Sequence, residues 1–280
     1  MRTDSAAHTS MNAVYADQSL SRWAFHHTDD PLIRYVRDRR LHLAMNILAR
    51  HGDLNPPSQR VLVACGGVGG EGMFLANNYG FQDVTVSDIS GNALENCKRL
   101  DPRLKTRLLD AEDMTEVEDD SYDIALVQDG LHHLPRPVLG FTEMLRVARI
   151  ATIVIEPHWS LVGKIIGTQW EIHDDCINYV FRWNRSILEQ ATLSYLLRKD
   201  MIIEARRIWD HGLYVQKAVN RLPRQHRLTA ARAIYGALEP ANRVGNMMIG
   251  VVIKPKDPPP RASSDGRRRR ASLPLQTSLT

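Results

Sequence analysis

Apolar runs too short for helices alternate along residues 61–155 with longer stretches of helical periodicity. Strands are predicted from Val61, over 83–87 ending at Asp88, over 105–109, over 122–127, and over 151–155 ending in Glu156-Pro157. Between them, helices are predicted over 71–79, stopped by Gly80, from Ser90 to about Leu100, broken by Asp101-Pro102, and over 137–147. Short continuous apolar strands separated by helices predict a parallel sheet covered on both faces, an α/β architecture of the doubly wound kind. Ligands in such sheets sit at the carboxyl ends of the strands.

Outside this repeat the pattern changes. Residues 15–25 carry Tyr15, Leu20, Trp23 and Phe25 at helical spacing, and residues 31–50 place Leu32, Val36, Leu43, Ile47 and Leu48 near one face with Arg34, Arg37, Arg39 and Arg40 largely on the other. Asp30 before Pro31 reads as the cap of the second helix, which makes His26-His27-Thr28-Asp29-Asp30 a helix-start loop ahead of a metal cluster. After the fifth strand, over forty residues holding Trp159, Trp170, Tyr179, Phe181 and Trp183 separate it from the next strand candidate, 201–209. A helix is predicted over 186–198 within that insertion, and its aromatics are either packing core or pocket wall. Helical patterns over 215–238 lead to 247–253, read as a final edge strand.

The stretch 60–72 organises the rest: an apolar strand flows into five glycines within seven residues and then opens a helix. Glycine is needed where backbone takes positive φ or lies against a ligand, and a helix beginning there aims free N–H groups at the same spot. The turn Cys65-Gly66-Gly67-Val68-Gly69 follows strand one, and Asp88 ends strand two nineteen residues after Gly69. Asp110-Ala111-Glu112-Asp113 follows strand three and Gln128-Asp129-Gly130-Leu131-His132-His133 follows strand four, so four tips are expected to line one crevice. An acid about twenty residues beyond a glycine turn suits the hydroxyls of a ribose.

Composition bounds the function. The chain has 280 residues, 43% of them hydrophobic, and its three cysteines, Cys65, Cys97 and Cys176, lack metal-ligand spacing, which fits a reducing, cytoplasmic setting. No apolar run is long enough to span a bilayer, and none of signal-peptide type follows Met1. The net charge of +4 resides wholly in residues 261–280, where five arginines face one aspartate. The remainder is formally neutral, which argues against nucleic acid, and the Pro/Ser/Arg-rich 257–280 reads as a disordered basic tail.

These residues resemble the class I S-adenosylmethionine-dependent methyltransferases over roughly 60–157. The likeness rests on Val-Leu-Val-Ala-Cys-Gly-Gly-Val-Gly, Val-Ser-Asp-Ile-Ser around Asp88 and Ile89, Leu-Asp-Ala-Glu-Asp-Met from Leu109, and Tyr-Asp-Ile-Ala-Leu-Val-Gln-Asp-Gly-Leu-His-His-Leu from Tyr122. The resemblance implies a Rossmann-like, mostly parallel seven-stranded sheet with a reversed last hairpin, and S-adenosylmethionine held by Cys65, Gly66, Gly67 and Gly69. It further implies Asp88 on the ribose, with Ile89 also contacting the cofactor, Asp110 and Ala111 at the adenine, and Gln128 near the methionine moiety. Two residues depart from the family: Val63 stands where an acid is usual, and Cys65 replaces the first glycine. The implied organisation is an N-terminal helical lid (1–57), a methyltransferase domain (58–256) with a helical substrate-side insertion (158–200), and the tail.

Methyl transfer asks mainly for alignment and exclusion of water, plus a base if the acceptor is a hydroxyl. His132, His133 and His158, all near strand tips, are the candidate bases, with Asp129, Glu156 and His173 as substitutes. No metal is expected, His173-Asp174-Asp175 reading as an exposed polar helix. The substrate expected is a small molecule, a hydroxyl-bearing specialised metabolite, and association as a homodimer is left open. The rivals are a cofactor-binding protein of the same fold that does not methylate, and a nucleotide-cofactor oxidoreductase.

Overall fold

The computed structural model describes residues 12–16, 19, 23–51, 54–161, 169–173 and 176–255. The expected basic tail and Asp174-Asp175 lie outside the described residues. Seven strands form one sheet in the order β3-β2-β1-β4-β5-β9-β8. Here β1 is Arg60–Val63, β2 Asp83–Asp88, β3 Lys105–Leu108, β4 Tyr122–Gln128, β5 Ala148–Pro157, β8 Ile202–Ile208 and β9 Met247–Ile253. Strands β1 to β5 pair in parallel, while β9 runs antiparallel to both β5 and β8. The sheet is therefore Rossmann-like and mostly parallel, with the last hairpin reversed.

Period-two alternation sends β1 into two cores. Val61 and Val63 join Leu41, Met45, Ile47, Leu48, Phe74 and Val86 on one face, and Leu62 joins Phe141, Met144, Leu145 and Trp183 on the other. The first face is covered by α1 (Pro31–His51), α2 (Gly70–Tyr79) and α3 (Gly91–Leu100), and the second by α4 (Pro137–Val147) and α5 (Arg185–Leu196). Each large side chain buried completely here contributes about 1.5–3 kcal/mol by its removal from water. Local signals set the helix ends. Asp30 Oδ1 accepts from the N–H groups of Leu32 and Ile33 at 2.9 and 3.2 Å, Ser90 Oγ accepts from Ala93 N–H at 3.2 Å, and Gly80 closes α2 at φ 77°.

A third cluster ties the ends of the chain together: Leu32 and Val36 of α1 pack with Val215 and Val219 of α6 (Gly212–Val219) and with Ala231 and Tyr235 of α7 (Arg224–Leu238). None of the helices among the described residues is long and apolar enough to cross a membrane.

Three local expectations need correction. Strand β9 is not an edge: it lies between β5 and β8 with every residue buried, because an antiparallel hairpin inserts its second strand into the sheet. The insertion is not purely helical, since β6 (Trp170–His173) and β7 (Cys176–Tyr179) form a separate antiparallel hairpin, with His173 pairing with Cys176. Residues 15–25 do not make one helix. Tyr15 stacks on Trp23 with ring centroids 5.2 Å apart, whereas eight residues of helix would hold them about 12 Å apart, and among the described residues of that stretch the helix is Ala24–His27. The insertion's aromatics divide, Trp183 being fully buried against Phe141 and Phe181 while Trp159, Trp170 and Tyr179 are exposed.

Candidate active site

The turn after β1 is built by backbone. Gly66 N–H donates to Ser87 O at 2.8 Å, Gly69 N–H to Gly66 O at 2.8 Å, and Met73 N–H to Gly69 O at 2.9 Å, so the strand passes directly into α2. Gly69 stands at φ 85°, and a Cβ there would lie 2.5 Å from Cys97 Sγ, so this position excludes a side chain twice over. Cys65 takes φ 50° without being glycine, its Cβ packed beneath Gly130. Burial and the surrounding carboxylates, Asp88 first among them, push its thiol well above its ordinary pKa, which makes it a packing group and not a nucleophile.

Asp88 closes the turn from the side. Its Oδ2 accepts from Gly67 N–H and its Oδ1 from Ser90 N–H, both at 2.9 Å. An acid held at this strand end, beside the glycine turn, stands where ribose hydroxyls are bound in folds of this kind. Gln128 ends β4, where its Nε2 donates to Glu71 Oε1 at 3.1 Å while its buried Oε1 has no hydrogen-bond partner among the described residues.

A cavity of about 350 Å³ opens here, lined by Cys65, Gly66, Gly67, Gly70, Glu71, Gln128 and Asp129 on the sheet side. Its other wall comes from the N-terminal segment, Tyr15, His26, Arg37, Arg40 and Leu41, with Asp210 and Gln216 also lining it. A Cβ on Gly67 would meet Tyr15 Oη at 2.8 Å, and one on Gly70 would meet His26 Nδ1 at 2.7 Å, so these two side chains lie directly on the glycine turn. Asn12 anchors this segment, accepting from Ser90 Oγ and Asn92 Nδ2 at 2.9 Å each. A larger hollow of about 580 Å³ lies between His26–Asp29, Arg34 and Arg103, away from the strand tips, and it gathers none of the strand-end residues.

Two groups in the cavity went unread in the sequence. Arg40 is not on a solvated face: its side chain is 15% exposed, with Nη2 2.6 Å from Asp129 Oδ2 and Nε 3.0 Å from Asp210 Oδ2. Burial opposes its charge, but the two carboxylates hold it firmly protonated. Glu71, in the first turn of α2, is pushed up to about 7 by burial and by Asp129, against the pull of Arg40 and Arg37. Helical periodicity marked Arg40 as surface, and the glycine run hid Glu71.

The sequence-selected cofactor residues Cys65, Gly66, Gly67 and Gln128 line the cavity, and Asp88 joins it through Gly67. Gly69 shapes the turn from behind, and Ile89 is half-buried beside Asp88. The third tip stands apart from the lining: Asp110 is exposed, its Oδ1 accepting from Glu112 N–H at 2.9 Å, and Ala111 is buried, although Leu109 N–H donates to Asp88 O at 3.1 Å.

The three histidines are not among the lining residues, and two have protonation states unsuited to a base. His132 is buried, its Nδ1–H donating to Glu156 Oε2 at 2.6 Å. Burial alone would lower its pKa, yet Glu156, with Glu171 and Asp129 behind it, raises it to about 10, so it is already protonated at neutral pH. His158 is buried near Arg207 and lowered to about 4, a weak base away from the crevice. His133 is half-buried, with Nδ1 3.5 Å from Glu171.

The His132 shift makes a prediction. A folded-state pKa near 10 against about 6.5 unfolded contributes stability that is complete below pH ~6.5 and lost as pH rises through ~10. Chemical denaturation from pH 6 to 10 should show this decline in the parent. His132→Gln, which cannot titrate, should show less of it, and parallel curves would refute the linkage.

The orphaned Gln128 Oε1, the glycine cradle and Asp88 fit a nucleoside-bearing cofactor with a polar amino-acid end. A family described as "Methyltransferase domain" matches residues 61–155. The 2-methyl-6-phytyl-1,4-hydroquinone methyltransferase of Synechocystis sp. (strain ATCC 27184 / PCC 6803 / Kazusa) is 27% identical over 139 residues, 48% of this chain and 43% of that protein. The chain thus matches less than half of that relative's length. Magnesium protoporphyrin IX methyltransferase from Synechocystis PCC 6803, solved with S-adenosylhomocysteine, superposes with a TM-score of 0.55 at 14% identity, covering 88% of this chain and 99% of that one. A [4+2]-cyclase superposes with a TM-score of 0.51 at 16% identity, covering 77% and 82%. At these identities the two structures share the fold alone. The fold, the strand-end residues and the matching domain together show that the chain carries a class I S-adenosylmethionine-dependent methyltransferase domain.

Proposed function

We propose that the protein transfers a methyl group from S-adenosylmethionine to a hydroxyl on a small-molecule acceptor. The observation that carries this reading is the lidded cavity at the glycine turn, with Asp88 at one side, the orphaned Gln128 Oε1 at its floor and an ionisable Glu71 in its wall. When bound, S-adenosylmethionine supplies a methyl group already activated on a sulfonium.

The chain's own residues then position and exclude water. Asp88 would hold the ribose hydroxyls, the glycine-turn backbone and Gln128 the centre, and the opposite charges of Arg40 and Asp129 the carboxylate and ammonium of the methionyl end. These two stand in for the acid missing at Val63. Tyr15 and His26, pressed on the turn, close the site over the reactants and keep water out. For the acceptor proton, Glu71 lines the cavity with its carboxyl pushed up to about 7, so the base role passes to it from the histidines. A small-molecule acceptor agrees with a relative named for a hydroquinone, and the formal neutrality of residues 1–260 favours it over nucleic acid. The cyclase of the same fold keeps the non-methylating reading alive, and label transfer decides between them.

Titration calorimetry should show binding of S-adenosylmethionine and its demethylated product but not of NAD or NADP, and Asp88→Ala should weaken it by about 1–3 kcal/mol, or roughly 5- to 150-fold. Tighter binding of a dinucleotide, or an unaffected Asp88→Ala, would overturn the cofactor reading. Incubation with labelled S-adenosylmethionine and a metabolite extract should transfer label. With the acceptor in hand, the rate should rise through pH ~7 and level off as Glu71 ionises, and Glu71→Gln should abolish that limb and lower turnover about 10²–10⁴-fold while cofactor affinity stays within a few-fold. An unchanged limb assigns the base elsewhere.

A further inference from the structure

Beside the cavity, the turn after β4 meets the β6–β7 hairpin through a cluster the methyl-transfer reading does not use. His132 Nε2 lies 3.6 Å and His133 Nδ1 3.5 Å from the same Glu171 Oε2, and all three ligand atoms fall within 4.8 Å of one another. The two imidazoles sit 4.2 Å apart, centre to centre, tilted by 38°. Bond lengths of about 2.0–2.1 Å in tetrahedral zinc sites place neighbouring ligand atoms about 3.3 Å apart, so the distances to Glu171 are within a few tenths of an ångström of an ion-bearing arrangement.

The surroundings add an independent observation. Metal-binding histidines characteristically donate their second ring N–H to a carboxylate, which sets the tautomer and aims the other nitrogen. His132 does this: Nδ1 is held by Glu156 Oε2 at 2.6 Å, Glu156 is itself fully buried, and its Oε1 accepts from Gly130 and Leu131 N–H at 2.8 and 2.7 Å. The aim of Nε2 toward Glu171 is thus built from beneath, and an ion bound there takes the place of the proton that Nε2 carries at neutral pH. Asn178 of β7 donates to His132 O at 2.7 Å, holding the hairpin against the turn. It also stands 3.4 Å from His133 Nδ1, a contact an ion would displace.

We infer that His132, His133 and Glu171 form a site for a divalent cation of the zinc class, which joins the β6–β7 hairpin to the turn that follows β4. Two imidazoles and one carboxylate favour such a borderline ion over magnesium or calcium, which prefer all-oxygen shells. Arg182, whose charge is coupled to Glu171, is the internal cation the ion has to outcompete. With Glu171 and His133 side chains 26% and 29% exposed, the ion can enter from solvent and keep an open position there.

The test is binding of the bare metal to the whole chain after chelator treatment and dialysis. Co²⁺ titration should develop the strong visible absorption of a four-coordinate N/O site at one equivalent, and Zn²⁺ should displace it. His133→Ala and Glu171→Ala, both at partly exposed side chains, should each weaken Co²⁺ binding at least tenfold, and Zn²⁺ should raise the melting temperature of the parent but not of either variant. His226→Ala, an exposed histidine on α7, should bind like the parent. No saturable binding, or binding unaltered in both ligand variants, overturns the site. Because the readouts are absorbance and melting, the outcome is independent of whether the chain methylates anything.

Discussion

Glu156→Ala is expected to lower the stability of the protein by about 4 kcal/mol or more. The side chain is fully buried and accepts three hydrogen bonds, from Gly130 N–H, Leu131 N–H and His132 Nδ1–H. Each buried donor left without an acceptor costs about 1–3 kcal/mol, and the imidazolium loses its counter-charge as well. At about 2–4 °C per kcal/mol for a chain of this size, the melting temperature should fall by roughly 10 °C. Glu156→Gln should fall less, since its amide oxygen can still serve the backbone pair, but His132 should then titrate at lower pH. The damaged turn adjoins Gln128 and Asp129, so cofactor affinity should drop with stability. A Glu156→Ala protein melting within about 2 °C of the parent would show that the turn holds without the clamp.

The second large effect is expected at Arg40. Arg40→Met removes the one partner that Asp129 and Asp210 share and leaves those carboxylates beside Glu71 in the same cavity wall. Breaking a fully buried pair costs about 3–5 kcal/mol. The Asp129 side chain is 39% exposed, where solvent screens the charge, so the expected loss is nearer 2–4 kcal/mol. If Arg40 also meets the carboxylate of the cofactor, affinity for S-adenosylmethionine should fall about 10- to 100-fold, the value of a hydrogen bond to a charged group. Losing a nearby positive charge should push the Glu71 carboxyl further above 7 and move the pH–rate limb upward. Arg40→Lys should recover only part, because one ammonium cannot span two carboxylates as the guanidinium does. Unchanged affinity and an unmoved limb in Arg40→Met would remove Arg40 from the cofactor site, and melting and calorimetry separate its structural from its binding share.

What the sequence determined by itself is whatever is written in short windows. The trade of strands and helices through the first five strands was legible because period two and period 3.6 are local. The ends of α1, α2 and α3 were legible because Asp30, Gly80 and Ser90 act on their own neighbours. The glycine turn, with Asp88 and Gln128 at the following tips, was legible because backbone that must take positive φ or lie against a ligand writes itself in glycine. Only the tertiary structure decided the rest. An entirely apolar strand such as β9 reads alike at an edge or between two neighbours, since strand partners and direction are not carried by period. Arg40 reads as a solvated charge until α1 is laid across the tips of β4 and β8, where Asp129 and Asp210 meet it from far along the chain. His132 and His133 read as bases beside a strand tip until Glu156 and Glu171, from β5 and the hairpin, surround them, and His132 is then held as an imidazolium while both rings face Glu171. A side chain's charge state and role depend on which carboxylates face it, and here those carboxylates belong to other elements of the fold.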